Sequence, residues 1–366
     1  MAKINPNPLL RLHALGQRIW LDNLSRTLLL EGALKKLITD DRIAGVTSNP
    51  TIFFKAISES PHYREELQKL KSDPALTAEQ RYETLAVADI QAACDLLLPQ
   101  FKSTTGDDGY VSLEVSPALA HDAAGTLAAG LRLKAAVARD NLLIKVPATD
   151  AGLTAIEELV AHGCSVNVTL MFSLRHVRDV AQAYVRGITR LMDAGGDARK
   201  VKSVASLFLS RVDALVDKRL EAIGDDALAL RGLSAVALAK LAYQDYLSTF
   251  LEDAFGALAK RGARPQAMLW ASTGTKNPSY NDVLYIESLI GPQTINTVPD
   301  ATLAAFREHG KAEPTLEADI DAADKQFAAL RDFGIDMDAI GQELQLDGLK
   351  QFADSFRQLL VLTTAP

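Results

Sequence analysis

The feature that most constrains the fold is an alternation of short β-like apolar stretches with longer helical ones. Eight β-like stretches occur in the 366 residues, and helical periodicity fills most of the intervals between them. They are RIWLD (18–22), IAGVTSN (43–49), YVSLEV (110–115), NLLIKVP (141–147), SVNVTLM (165–171), SVASLF (203–208), AMLWAS (267–272) and TINTV (294–298). Strands that alternate with helices form parallel sheets. Eight such units predict a (β/α)8 TIM barrel.

Helices account for the remaining length. RTLLLEGALKKLI, LTAIEELVAHG and LRHVRDVAQAYVRGITRLMDAG are predicted to cover the outside of the barrel. Additional helices are predicted at about 56–105, 209–264 and 315–363. The last addition holds two amphipathic patterns separated by the turn-like GIDMDAIGQ, and these could pack over the barrel mouth or form the surface of a homodimer. We therefore predict a single barrel domain over residues 1–366 with helical additions.

Charge and hydropathy argue against several classes of partner. No apolar run approaches the roughly 20 residues that span a bilayer, and the opening MAKINPNPLLRLHALGQ lacks the apolar core of a signal peptide. We therefore expect a cytoplasmic protein. A net charge of −7 argues against a nucleic-acid or anionic-membrane partner, because both attract a positive surface. The countercharge for a phosphate ligand would have to be local.

Neither a metal nor a cofactor is expected. Cys94 and Cys164, the two cysteines, are too few and too far apart for a disulfide scaffold or a cysteine metal site. None of the six histidines belongs to a recognisable ligand pair. The glycine-containing ASTGTKNP, which follows the seventh predicted strand, resembles neither a Walker loop nor a dinucleotide fingerprint.

Polar residues recur on one parity of the predicted strands, near their carboxyl ends. Alternate side chains of a barrel strand point inward, so residues two apart share a face. This argument selects Asp22, Thr47, Asn49, Ser112, Glu114, Lys145, Asn167, Thr169, Ser206 and Phe208. A single polar residue in a strand is usually a core residue whose side chain is hydrogen-bonded. Burying so many polar groups, however, costs several kcal/mol unless they are paired. Active sites of TIM barrels lie at this end, so the pattern predicts an active site.

Lys145 is the candidate nucleophile. It alternates with Ile144 and Val146, and apolar surroundings disfavour an ammonium and make the neutral amine available. Such an amine forms a Schiff base with a carbonyl compound. Asp22 and Glu114 would supply the acid and base for the proton transfers. The alternative is a lysine that extends from a strand end into water.

Several segments resemble the transaldolase family. GVTSNPTIFFKAI (45–57) resembles its first signature, and NLLIKVPATDAGLTAIEELVAHGCSVNVTLMFS (141–173) resembles its active-site lysine segment with the Asn-x-Thr strand that follows. Further resemblance is found in WLDNLSR, VSLEVSP, SLFLSRVD, WASTGTKNPSYND and NTVPDATLAAF, so that it covers most of residues 15–310.

The resemblance implies a role for each candidate. Lys145 would form an imine with the C2 carbonyl of a ketose, Asp22 would take the proton of the C4 hydroxyl, and Glu114 would shuttle protons through a water held with Thr169. The remaining implied contacts are Asn49, Asn167 and Ser206 with hydroxyls of the dihydroxyacetone fragment, Thr47 and Ser112 in the lining, and Arg211 and Ser272 at the phosphate. Phe208, which strand parity selects, is also expected to contact the substrate. Many members have an arginine shortly after that serine. Here Lys276, on a longer loop, is the expected replacement.

The implied reaction belongs to the non-oxidative pentose phosphate pathway. Sedoheptulose 7-phosphate and glyceraldehyde 3-phosphate would give erythrose 4-phosphate and fructose 6-phosphate. One alternative is a fructose-6-phosphate-type aldolase, a lyase of the same family that releases dihydroxyacetone. Another is a non-catalytic barrel that binds sugar phosphates. Glu114 and the chain length favour transfer over release, and the complete set of Asp22, Glu114, Lys145 and Thr169 favours an enzyme.

Overall fold

Eight parallel strands close into a barrel in sequence order in the computed structural model, which describes residues 7–251 and 253–365. The strands are β1 (Gln17–Leu21), β2 (Gly45–Val46), β3 (Tyr110–Glu114), β4 (Leu142–Pro147), β5 (Val166–Met171), β6 (Ser203–Phe208), β7 (Ala267–Ala271) and β8 (Thr294–Val298). β8 pairs with β1 from Gln17 opposite Thr294 to Leu21 opposite Val298, which closes the barrel. The predicted TIM barrel is confirmed, and each strand overlaps a predicted stretch.

Helices surround the barrel and fill the three segments where additions were predicted. They are α1 (Pro8–Ala14), α2 (Arg26–Leu30), α3 (Ala33–Asp41), α4 (Pro50–Glu59), α5 (Arg64–Lys71), α6 (Ala78–Ser103), α7 (Ala123–Val137), α8 (Asp150–Ala161), α9 (Leu174–Asp193), α10 (Ser210–Ile223), α11 (Ser234–Phe250), α12 (Asp253–Lys260), α13 (Leu284–Glu287), α14 (Asp300–His309), α15 (Ile320–Asp332) and α16 (Met337–Thr363). Residues 1–6, 252 and 366, which include the start of the opening segment considered above, lie outside the described residues.

Two helix boundaries differ from the prediction. RTLLLEGALKKLI is two helices, because Gly32 adopts a left-handed conformation (φ 75°, ψ 8°) between α2 and α3. The predicted turn GIDMDAIGQ is largely helical, since α16 begins at Met337. Asp336 caps this helix by accepting hydrogen bonds from the backbone N–H groups of Asp338 and Ala339.

Close packing between β1 and β2 depends on a glycine. Trp20 lies opposite Gly45 across the two strands, and its side chain is fully buried. A Cβ on residue 45 would lie 2.5 Å from Cε2 of the indole, well inside van der Waals contact. The short strand β2 therefore holds its position in the barrel only with glycine at this site.

Helix α16 crosses the carboxyl ends of the central strands. The Nε2 of Gln345 donates to the carbonyl of Ala148 at 2.8 Å and to that of Leu170 at 3.1 Å. At the other end of the helix, the hydroxyl of Thr363 donates to the carbonyl of Ala78 at 2.8 Å. Of the two placements that the sequence left open, α16 adopts the one over the barrel mouth. No helix in the two described ranges combines the length and apolar character that a membrane crossing requires.

Candidate active site

A cavity of about 340 Å³ opens at the carboxyl ends of the strands. Ten predicted site residues line it, namely Asp22, Thr47, Asn49, Lys145, Thr169, Ser206, Phe208, Arg211, Ser272 and Lys276. Three larger cavities, of about 500, 460 and 640 Å³, are lined by none of the predicted residues. Seven of these ten residues were selected by strand parity and three, Arg211, Ser272 and Lys276, by the family resemblance, and the structure brings them to one cavity.

Lys145 lies on β4, between Glu114 of β3 and Asn167 of β5 in the strand register. Its Nζ is 3.2 Å from Oε2 of Glu114 and donates to the carbonyl of Ser48 at 3.1 Å. The ring centroid of Phe352 is 5.7 Å from the same nitrogen. The residue is 4% exposed, so it does not extend into water. Its nearest partners are nevertheless polar, because neighbouring strands supply them where the alternation of β4 alone indicated apolar contacts.

The two candidate carboxyl groups both favour their protonated forms more than free side chains do. Burial raises the pKa of Glu114, and the charge of Lys145 opposes this effect. Burial likewise raises the pKa of Asp22, against the charge of Lys145 and a 2.8 Å hydrogen bond from the Thr47 hydroxyl. Raised carboxyl pKa values in a cleft are typical of groups that exchange protons during a reaction.

A row of hydrogen-bonded side chains supports the floor of the cavity. Asn167 donates from Nδ2 to the hydroxyl of Ser112 at 2.9 Å and accepts from the hydroxyl of Ser206 at 2.7 Å. Ser112, Glu114 and Asn167 do not line the cavity themselves, but each contacts a lining residue or its neighbour in this row. Glu114 holds Lys145 in place, and Asn167, supported by Ser112, holds Ser206.

Asn49 and Thr169 present polar groups from two sides of the cavity. Oδ1 of Asn49 caps α4 by accepting from the backbone N–H of Ile52 at 2.9 Å, which fixes the orientation of the side-chain amide. The hydroxyl oxygen of Thr169 is buried and has no hydrogen-bond partner in the described part of the chain. A hydroxyl in this condition is suited to a water or substrate hydroxyl.

Two cationic side chains, Arg211 and Lys276, also line the cavity. Arg211 is in the first turn of α10, 5.5 Å above the ring of Phe208, and burial lowers its pKa. Its Nη1 is buried and unpartnered within residues 7–251 and 253–365. Ser272 follows β7 with φ 54°, and Lys276 is exposed four residues further along the same loop. The cavity lining therefore includes a guanidinium, an ammonium and a hydroxyl, all groups that can bind an anion.

The site also contains residues that the sequence argument did not identify, among them Thr297, Ser48, Gln351 and Phe352. Thr297 of β8 is hydrogen-bonded to Thr47 at 2.8 Å, and Thr47 already donates to Asp22, so the Thr297 hydroxyl is the donor. Ser48 contributes its carbonyl to Lys145. Gln351 and Phe352 of α16 close the cavity from above. Over the described ranges, no cluster of His, Cys, Asp and Glu is arranged to hold a metal ion.

Known proteins resemble this chain over nearly its whole length. The sequence model of the family described as Transaldolase/Fructose-6-phosphate aldolase matches residues 19–362. A protein named Transaldolase from Thiobacillus denitrificans (strain ATCC 25259 / T1) is 55% identical over 347 residues, 94% of this chain and 96% of that protein. The Transaldolase of Neisseria gonorrhoeae (strain ATCC 700825 / FA 1090) is 50% identical over 95% of this chain and 97% of its own. The Transaldolase of Mycolicibacterium smegmatis (strain ATCC 700084 / mc(2)155) is 44% identical over 98% of this chain and 97% of its own. The chain belongs to the transaldolase and fructose-6-phosphate aldolase family.

Proposed function

We propose that the chain is a transaldolase that moves a dihydroxyacetone unit between sugar phosphates through an imine on Lys145. The donor would be sedoheptulose 7-phosphate and the acceptor glyceraldehyde 3-phosphate, in a reversible reaction. The observation that carries the proposal is the buried pair of Lys145 and Glu114, 3.2 Å apart, beside a cavity that also contains Asp22. Relatives named Transaldolase, 44–55% identical over nearly the whole chain, support the same activity.

Imine formation would begin with proton transfer from Lys145 to Glu114. The raised pKa of Glu114 makes its carboxylate a better proton acceptor than a solvent-exposed one. The neutral amine would then attack C2 of the ketose, and a proton would pass from its nitrogen to the former carbonyl oxygen to give the carbinolamine. The carbinolamine would lose its hydroxyl as water, while the nitrogen lone pair forms the C=N bond of the protonated imine. Glu114 would return its proton to that leaving hydroxyl through the water held at Thr169, whose unpartnered hydroxyl supports this role.

Carbon–carbon cleavage would then be assisted by Asp22. Its carboxylate would take the proton of the C4 hydroxyl as the C3–C4 bond breaks, and the electron pair would pass into the imine to give an enamine. The aldose leaves, and a second aldose adds at the same carbon in the reverse sequence. Because the bonding electrons and the proton return in the second half, no redox partner is required.

Retention of the enamine between the two halves distinguishes transfer from release. Protonation of the enamine carbon, followed by hydrolysis of the imine, would free dihydroxyacetone. Lys145 is 4% exposed, and Phe352 of α16 covers it from above. Restricted access of water to the intermediate therefore supports transfer over the lyase alternative.

Covalent trapping tests the proposal. Borohydride added with fructose 6-phosphate should attach a reduced three-carbon adduct to Lys145, which peptide mass spectrometry would locate. Lys145→Arg should remove the adduct. Lys240 provides a matched control, because it is also a buried lysine, 7% exposed, whose Nζ donates to the carbonyl of Thr315 at 3.0 Å outside this cavity. An adduct on Lys240, or turnover without any adduct, would disprove the mechanism.

An assay with and without an acceptor separates the three candidate activities. A transaldolase should form sedoheptulose 7-phosphate from fructose 6-phosphate and erythrose 4-phosphate, and should release little dihydroxyacetone when the acceptor is omitted. A lyase would release dihydroxyacetone at a similar rate in both cases. A non-catalytic binding barrel would show neither product nor adduct.

A further inference from the structure

Helix α10 and the segment after β7 are tied together where the cationic side of the cavity forms. The backbone N–H of Ser210 donates to the carbonyl of Ser272 at 3.0 Å, and the two hydroxyl oxygens are 2.8 Å apart. Residues 272–283 then continue without helix or strand until α13. This stretch carries Lys276, whereas Arg211 lies on α10, so their separation depends on how the stretch is anchored.

Two buried aspartates of α10 supply the remaining anchors. Asp213 accepts from the hydroxyl of Tyr285 at 2.7 Å, and Asp217 accepts from the hydroxyl of Tyr280 at 2.6 Å. The two carboxyl groups, 2% and 6% exposed, are one helical turn apart. We refer to Asp213, Asp217, Tyr280 and Tyr285 as the aspartate–tyrosine ladder.

The second oxygen of each carboxylate binds the start of α11. Oδ1 of Asp213 accepts from the backbone N–H of Ala235 at 2.8 Å, and Oδ1 of Asp217 accepts from that of Gly232 at 2.9 Å. Each carboxylate therefore joins α10 to two other segments at once. Both oxygens of each group are engaged, which leaves the ladder little freedom to shift.

Gly232 shows that the position of Tyr280 is tightly defined. Its φ is 70°, and a Cβ there would lie 2.7 Å from Cζ of the Tyr280 ring. The ring is thus packed directly on the backbone beside the hydrogen bond to Asp217. Burial also raises the pKa of Asp213 to about 6, which shows that burying this carboxylate opposes its ionisation. If this position served only to fill space, an apolar residue of similar size would do so without the free-energy cost of burying a carboxylate.

We infer that the aspartate–tyrosine ladder positions residues 272–283 so that Lys276 and Ser272 stand at a fixed distance from Arg211. The ladder thereby sets the affinity for the phosphate group of the substrate. These four side chains are positioning residues, since none of them lines the cavity. Ser210 and Ser272 fix the beginning of the stretch, and the ladder fixes its end on the same helix that carries Arg211. The inference rests on the proposed function, because it assumes that the anion bound here is a substrate phosphate.

Tyr280→Phe and Tyr285→Phe test the ladder, since each removes one hydroxyl and keeps the ring. We expect KM for fructose 6-phosphate and the dissociation constant for inorganic phosphate to rise about threefold to tenfold, as loss of one hydrogen bond to a buried group implies. The value of kcat should stay within about twofold, because Lys145, Glu114 and Asp22 are held by other contacts. Borohydride trapping with unphosphorylated dihydroxyacetone should be unchanged.

Tyr63→Phe is the matched control. The hydroxyl of Tyr63 donates to the buried Asp89 at 2.7 Å, but neither residue lines the cavity or belongs to the segment after β7. It should lower the melting temperature as the ladder variants do and leave KM and phosphate binding unchanged. If Tyr280→Phe and Tyr285→Phe change both constants no more than Tyr63→Phe does, the ladder is only structural and the inference is wrong. Failure of the wild-type protein to form any adduct would instead disprove the proposed function, while phosphate titration would still decide on the ladder.

Discussion

At the scale of single residues, the proposed mechanism assigns different roles to two carboxyl groups that have different contacts. Glu114 pairs directly with Lys145, whereas Asp22 is held by the hydroxyl of Thr47, which in turn accepts from Thr297. Burial raises both pKa values, so contact geometry must separate their roles. In the proposed mechanism, Glu114, beside the amine, would serve imine formation, and Asp22, held by the threonine pair, would serve cleavage.

Substitution of each carboxylate should therefore slow a different step. Asp22→Ala should still form the imine with fructose 6-phosphate but release little aldose, so that the imine accumulates. Glu114→Gln should slow imine formation itself by about two to four orders of magnitude, the range typical of general acid–base catalysis. Single-turnover trapping with borohydride would measure both steps. The same slowed step in both variants would show that the two roles are not separate.

Most candidate site residues were selected from strand parity, and Arg211, Ser272 and Lys276 from the family resemblance. Lys145, Thr169 and Ser206 stand out because their flanking residues are apolar. Thr297 does not, because β8 also has polar residues on the other parity, Thr294 and Asn296. Ser48 contributes a backbone carbonyl, which residue type does not encode.

At the scale of secondary-structure elements, α16 covers part of the barrel mouth. Gln345 binds the carbonyl groups at the ends of β4 and β5, and Gly348 allows the helix to lie close to β5, since a Cβ there would be 2.8 Å from Cδ2 of Leu170. Phe352 is thereby placed over Lys145. The amphipathic pattern predicted the helix, but its position depends on contacts about 200 residues away in the chain, which no local pattern records.

Phe352→Ala should increase release of dihydroxyacetone relative to transfer by several-fold. Removing the ring would admit water to the enamine on Lys145, and water would compete with the acceptor aldose for that carbon. The measurement is the ratio of free dihydroxyacetone to sedoheptulose 7-phosphate at fixed erythrose 4-phosphate. The imine should still form at Lys145.

Phe356→Ala is the control on the same helix. Its ring packs edge-to-face on Tyr82, with centroids 5.7 Å apart, and does not line the cavity. This variant should lose stability, about 3 to 5 kcal/mol for a buried phenylalanine, and keep the wild-type product ratio. An equal change of the ratio in both variants would mean that the effect comes from loosening of α16 in general.

At the scale of the whole molecule, the barrel could be predicted because each strand–helix unit is local and the units are neighbours in sequence order. The net charge of −7 is also a property of the whole chain, and it disfavours the binding of an anionic substrate. Cationic side chains at the site itself must therefore offset this repulsion. Arg211 and Lys276 are the cations that line the cavity beside Lys145. We therefore propose that recognition of the substrate phosphate depends on these two side chains.

Removal of either cation should weaken the use of phosphorylated donors. A charge-assisted hydrogen bond contributes roughly 1.5 to 3 kcal/mol, equivalent to about a tenfold to hundredfold change in kcat/KM. Arg211→Ala should have the larger effect, because its planar guanidinium can bind two phosphate oxygens, its Nη1 is buried without a partner among the described residues, and Lys276 is exposed. The measurement compares kinetic constants for fructose 6-phosphate and fructose in each variant.

Lys311→Ala separates local binding from net charge. It removes the same single positive charge, but Lys311 lies in a different cavity, lined by residues of α11 and α15. It should leave the constants for both donors unchanged, and all three variants should form the imine with unphosphorylated dihydroxyacetone. If Lys276→Ala behaves like Lys311→Ala, the loop lysine is not a phosphate ligand and the second cation must be sought elsewhere. If Arg211→Ala does so as well, the phosphate does not bind on this side of the cavity, and the ladder that joins α10 to residues 272–283 has no role in its recognition.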